Sequence, residues 1–184
     1  PVLNVPAQNK TVQCSATGYQ TEFNAWLATN GGAIATDNCG TVTWSNNGAT
    51  AVFVSTCGNA GSITVTFTAT DACGNESTTT AIFTVEDTTK PIFTSDLPTD
   101  VTVSCAGDIP ATEEATLTAT DNCTDADIEI TVKDVKSNVS PICANNYTIT
   151  RTYTAKDACG NTTTHTQIIK VEDKTKPSQT DESE

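Results

Sequence analysis

Two stretches of the chain set apolar residues against threonine at a period of two: Ser62-Ile63-Thr64-Val65-Thr66-Phe67-Thr68 and Ala81-Ile82-Phe83-Thr84-Val85. Successive side chains of a strand face opposite ways, so this pattern predicts strands with one buried face and one wet face. Asn, Gly and Asp clusters bound them, as turns require. One stretch follows a different period. Phe23, Trp26 and Leu27 stand at i, i+3 and i+4, which predicts a short helix with Thr21 as N-cap and Gly31-Gly32 as its stop. Trp26 and Trp44 are expected in the core rather than on a binding face.

The pattern repeats. Thr68-Ala69-Thr70-Asp71-Ala72-Cys73-Gly74-Asn75 returns as Thr154-Ala155-Lys156-Asp157-Ala158-Cys159-Gly160-Asn161, an offset of 157 − 71 = 86. Val85-Glu86-Asp87-Thr88-Thr89-Lys90-Pro91 returns as Val171-Glu172-Asp173-Lys174-Thr175-Lys176-Pro177, also 86 apart. Asp37-Asn38-Cys39 returns as Asp121-Asn122-Cys123 at 84, and Cys14 as Cys105 at 91, so the first copy holds 91 − 84 = 7 extra residues, where the helix is expected. About seven strands per copy fit an immunoglobulin-like sandwich. The expected fold is therefore all-β: two tandem immunoglobulin-like β-sandwich repeats, 1–89 and 90–176, the first with a short helical insertion, followed by an acidic tail at 177–184.

Composition supports this and narrows the function. Thr makes up roughly a fifth of the chain, and β-branched residues favour strands. Nine basic against 22 acidic residues give a net charge of −13, which argues against nucleic acid and leaves cations or solubility as the role of the acidity. There is no apolar run near the ~20 residues of a membrane helix, so direct membrane insertion is not expected. The chain starts at Pro1 with no signal-peptide pattern and contains no Met, so it reads as part of a larger precursor.

Eight cysteines without a C-x-x-C, and His165 as the only histidine, exclude the clustered ligands of a structural zinc site. Disulfides are the expectation, and with them an oxidising location, secreted or at the cell surface. On a seven-strand up-and-down path, Cys39 and Cys73 fall in loops at one end. Cys14 and Cys57 fall at the other. The expected bonds are Cys14 with Cys57, Cys39 with Cys73, Cys105 with Cys143 and Cys123 with Cys159. His165, in the alternating Thr164-His165-Thr166-Gln167, is expected on a strand surface, and no nucleophile motif or phosphate loop accompanies it, so an enzyme is not expected.

The tandem T-A-T-D-A-C-G-N and V-E-D-x-T-K-P signatures, with D-N-C-G ahead of them, resemble the HYR-like, immunoglobulin-like repeats found in long arrays on secreted proteins of Bacteroidetes, most of all those of SprB-type gliding-motility adhesins. The resemblance covers nearly all of 1–176. It implies structural, adhesive modules of a long cell-surface protein at the outer membrane, with neighbouring repeats as partners and surface polysaccharide or a substratum as further ones. The competing reading is an accessory spacer or carbohydrate-binding module of a secreted enzyme.

The acidic residues carry the remaining chemistry. Asp121 and Asp157 each stand two positions before a cysteine, and a Cys123–Cys159 bond would bring both carboxylates to one side. Asp87 and, more weakly, Glu86 end the last strand of the first copy and arrive at the same place, with Asn122 and Asn161 able to add neutral oxygens. Such a set fits Ca²⁺, which takes six to eight oxygen ligands. Asp37 and Asp71 would form the matching half-site for a preceding module, and Glu172 and Asp173 for a following one. The same Asp and Asn residues equally suit turn capping without metal.

Overall fold

The alternating stretches of the first copy form a long antiparallel pair, β6 (Ala60–Thr70) and β7 (Glu76–Glu86), in register from Gly61 opposite Val85 to Thr70 opposite Glu76. The computed structural model describes residues 1–123, 128–140, 142 and 145–174. Cys143 and the expected tail at 177–184 lie outside the described residues. The chain is all-β, two immunoglobulin-like sandwich repeats with one short helix in the first.

Two compact units divide it. Unit 1 comprises Pro1–Thr89 with Asp121–Asp127 and Asp157–Asn161; unit 2 comprises Lys90–Thr120, Ile128–Lys156 and Thr162–Glu184. Two loops that belong to the second copy in sequence thus belong to the first unit in space.

In unit 1, β1 (Val2–Val5) pairs with β3 (Ile34–Thr36). The larger sheet carries β2 (Lys10–Gln13), β7, β6 and β4 (Thr43–Asn46) in that order, with β5 (Phe53–Cys57) also on β6. Strand β2 runs parallel to β7, Lys10 beside Phe83 and Gln13 beside Glu86. This overturns the up-and-down path, because a parallel neighbour requires a crossover rather than a hairpin. The connection from β2 to β3, a strand of the other sheet, carries the helix.

The threonines of β6 face outward while Ile63, Val65, Phe67 and Ala69 are buried, joined from β7 by Ala81, Phe83 and Val85. Helix α1 (Gln20–Ala28) lays Phe23 and Trp26 on this face. The Phe23 ring meets Phe83 edge-on at 5.1 Å and Trp26 meets Phe67 at 5.2 Å. Burying each such side chain stabilises by about 1.5–3 kcal/mol. Tyr19, not Thr21, occupies the N-cap, and it makes no side-chain cap bond; it stacks on Phe53 at 5.0 Å, so packing rather than capping sets where the helix begins. The helix ends at Ala28 with Thr29 as C-cap, ahead of the expected Gly31-Gly32 stop. Gly31, in the 3-10 turn Asn30–Gly32 that follows, holds φ +63, and a Cβ there would meet Ala7 Cβ and the Phe67 ring at 3.1 Å, so that turn is a close approach to the core. Trp44 is half-buried against the same core.

Unit 2 carries β8 (Ile92–Phe93) paired with β10 (Ala119–Thr120). Its main sheet is β11 (Glu129–Ser137), β12 (Tyr147–Lys156), β13 (Thr162–Val171) and β9 (Val101–Val103), with β9 parallel to β13. Where the first copy has its α-helix, the second has one 3-10 turn, Ala106–Asp108. Tyr153 and Ile169 are fully buried, and beside them Arg151 is buried with its guanidinium paired to Asp134 at 2.9 Å through both Nε and Nη2. His165 lies half-buried on β13, its Nε2 2.7 Å from the Pro98 carbonyl.

Candidate metal centre and its disulfides

The D-A-C-G-N segments fold into one loop geometry at both positions. Asp157 N–H donates to Asn161 O at 3.1 Å and Gly160 N–H to Asp157 O at 3.2 Å, while Gly160 takes φ +92, open only to glycine without strain. The Asp157 carboxylate caps this turn: Oδ1 accepts from the Cys159 and Asn161 amides, each at 2.9 Å, and Oδ2 accepts from Asn161 Nδ2 at 2.9 Å. Asp71 does the same for Cys73 and Asn75 at 2.9, 2.9 and 2.8 Å. In the D-N-C loops, Oδ1 of Asp121 accepts from Cys123 N–H and that of Asp37 from Cys39 N–H, both at 2.9 Å. Turn capping is therefore part of what these aspartates do.

Each carboxylate closes its own loop and leaves the cysteine at the tip. The disulfides consequently run differently from the sequence expectation. Cys14 is bonded to Cys123 and Cys57 to Cys159, with α-carbons 5.1 Å apart in both. Neither Cys14–Cys57 nor Cys123–Cys159 forms. Cys39 and Cys73 are exposed free thiols, not bonded to each other, and Cys105 is likewise exposed and free. Cys14 follows β2 and Cys57 ends β5, so both do emerge together at the C-terminal end of β7. There they meet the loop tips at 121–123 and 157–161 instead of each other.

Hydrogen bonds fasten those tips. Asn122 Nδ2 donates to the Cys14 carbonyl, Asn59 Nδ2 to the Cys123 carbonyl at 2.9 Å, and Asn161 Nδ2 to the Asp87 carbonyl at 3.1 Å. Asn59 escaped the sequence reading, although Cys57-Gly58-Asn59 repeats the C-G-N triplet of both Asp loops.

Between these anchors, one carboxylate oxygen each from Asp87, Asp121 and Asp157 lie within 4.8 Å of one another. Asp157 is buried and the other two half-buried. Burial pushes the Asp87 carboxyl above its usual range, the Thr89 amide opposes this, and the charges of Asp121 and Asp157 add to the rise. Oxygens on opposite sides of a Ca²⁺ are separated by about twice the ~2.4 Å ligand distance, so the spacing fits that ion.

The other expected ligands fare differently. Asn161 turns its amide nitrogen, not its oxygen, toward Asp157 and Asp87, because both neighbours are acceptors. Asn122 Oδ1 is buried with no hydrogen-bond partner among the described residues. Glu86 alternates to the exposed side of β7 and stays out of the cluster. Asp37 and Asp71 line one cleft with Cys39 and Cys73. Glu172 pairs with Lys174 at 2.6 Å, and Asp173 N–H donates to Asn146 Oδ1 at 2.7 Å.

Each repeat carries four cysteines. Residues 93–171 match the HYR-like domain with 4 cysteines. That match supports an HYR-like, immunoglobulin-like repeat family, and the two disulfides fit a secreted or surface protein. No curated protein matches the chain. Among solved structures, the chain is similar to Drosophila N-cadherin EC1-4 (20% identity over 60% of this chain and 31% of that one, TM-score 0.28). It is also similar to protocadherin gammaB7 EC3-6 (14%, 93% and 46%, TM-score 0.29) and the tandem Ig repeats of Dlar (12%, 93% and 97%, TM-score 0.26). The chain spans less than half the length of the two cadherin structures, and at these scores the likenesses carry no argument about function.

Proposed function

We propose that the chain is a pair of non-catalytic modules from a long adhesive surface protein, of the gliding or attachment kind, in which Ca²⁺ held by Asp87, Asp121 and Asp157 secures the loops at 121–123 and 157–161 to the end of β7. The observation that carries this is the convergence of three carboxylates beside two disulfides, in a sequence whose acidic and cysteine positions recur. Without a cation the three charges repel one another; with one they become ligands. Turn capping explains one oxygen of Asp121, the Asp157 bonds and the 3.2 Å bond that Asp87 Oδ1 accepts from the Thr89 amide, but not why the three carboxylates converge. In an array of such modules the partners are neighbouring repeats, and the array carries or forms a contact with surface polysaccharide or a substratum. The carbohydrate-module reading loses its main support because Trp26 is buried and Trp44 packs against the core.

Calorimetric titration of chelator-treated protein with Ca²⁺, repeated on Asp87→Ala and Asp157→Ala, tests the metal. Binding in the parent protein and its loss in both variants is the expected result. No binding in the parent, or equal binding in all three, returns these residues to turn capping alone.

A further inference from the structure

We infer that Cys39 and Cys73 are the receiving end of an intermodule disulfide ladder, bonded in the assembled protein by the cysteines that leave the strand ends of another repeat, as Cys123 and Cys159 are bonded here by Cys14 and Cys57. This deepens the proposed function and rests on its reading of the chain as modules of an array. Two independent sets of geometry meet in it.

At the receiving end, the Asp37 and Asp71 loops reproduce the hydrogen bonds of the Asp121 and Asp157 loops, yet hold exposed free thiols where those hold disulfides. At the delivering end, β9 lies on β13 in the register that β2 keeps on β7: Val103 beside Val171, as Val12 is beside Val85. Cys105 follows Val103 by two residues as Cys14 follows Val12, and it too is exposed and free. The Cys14–Cys123 bond therefore maps onto a bond from Cys105 of one molecule to Cys39 of another. Such a head-to-tail contact uses different surfaces on its two sides, so it propagates rather than closing as a dimer.

Bond formation requires an oxidant, here a disulfide such as oxidised glutathione. The Cys39 thiolate attacks it and releases one glutathione thiolate. The Cys105 thiolate of a second molecule then attacks the Cys39 sulfur and releases the other, so two protein thiols lose two electrons and two protons and one glutathione disulfide becomes two thiols.

The test keeps the whole chain at high concentration in a glutathione redox buffer, with Ca²⁺ calorimetry on the same preparation. A series of covalent oligomers on non-reducing gels is expected, with peptide mapping joining Cys39 to Cys105 while Cys14–Cys123 and Cys57–Cys159 persist. A Cys39→Ser/Cys73→Ser variant should keep its fold by circular dichroism and lose the series. Closure of Cys39 on Cys73 within one molecule, Cys39–Cys39 links as frequent as Cys39–Cys105, or no oligomers beyond those of the variant would overturn the inference. Loss of the ladder with Ca²⁺ binding intact removes this inference and leaves the calcium-bearing module; a ladder without Ca²⁺ binding does the reverse.

Discussion

The α-carbons of Cys14 and Cys123 lie 5.1 Å apart although 109 residues separate them in sequence. The Cys57–Cys159 bond spans 102 residues and overlaps that interval, so the two closures interlock. Loops of about 100 residues give about 4–5 kcal/mol of stabilisation in the chain-entropy description. A Cys14→Ser/Cys123→Ser variant should lose somewhat less than that, because the remaining bond already shortens the reopened loop, and removing both bonds should cost more than twice the single loss. Both tryptophans are in unit 1, so denaturant unfolding followed by their fluorescence reads the effect there. Additive losses would show that the closures act independently.

Asp87→Asn should change sign with calcium. In chelator it removes one of three mutually repelling carboxylates, the one that burial and its neighbours already disfavour as an anion, so the melting temperature rises. With Ca²⁺ at a hundredfold excess over Kd the parent gains about 2.7 kcal/mol by mass action, which the variant forfeits. Calorimetric melting in both conditions checks this; a variant less stable in chelator would contradict the electrostatic account.

Asn75→Ala should raise the Asp71 titration. The Asn75 side chain, then its amide, holds the Asp71 carboxyl below its ordinary value of 3.8. The folded value is depressed, so its contribution to stability is present above the unfolded value and disappears as pH falls through the folded one. Carboxyl carbon NMR on the parent and variant reads the shift directly. An unchanged titration would mean that the Cys73 and Asn75 amides alone hold the anion.

Arg151→Met should loosen unit 2 by about 2–4 kcal/mol, because it strips Asp134 of its partner and leaves the Pro110 and Ala111 carbonyls without their 2.8 and 3.2 Å donors. Arg151→Lys should recover only part of this, since an ammonium cannot reproduce the forked contact. Amide hydrogen exchange along β12 and β13 measures it, and protection equal to the parent's would show the network to be dispensable.

Local pattern determined much of this protein. The two-residue alternation around Ile63–Phe67 and Phe83–Val85, the helical spacing of Phe23 and Trp26, and the recurrence of D-A-C-G-N all depend on residues a few positions apart, and their periodicity is visible along the chain. So was the sharing of one strand end by Cys14 and Cys57. Which sulfur each would meet was not visible, because it depends on β2 lying parallel to β7 and on loops more than 100 residues away reaching that end. The helix start fell to tertiary packing for the same reason: the Tyr19 ring stacked on Phe53, a contact with no signature near Thr21, took the cap position. Asn161 could be read as an amide beside carboxylates, but whether oxygen or nitrogen faced them was decided only when the Asp87 carbonyl came within 3.1 Å as a second acceptor. Spacing along a chain encodes which face a side chain takes; which distant group it meets there is a property of the folded backbone alone.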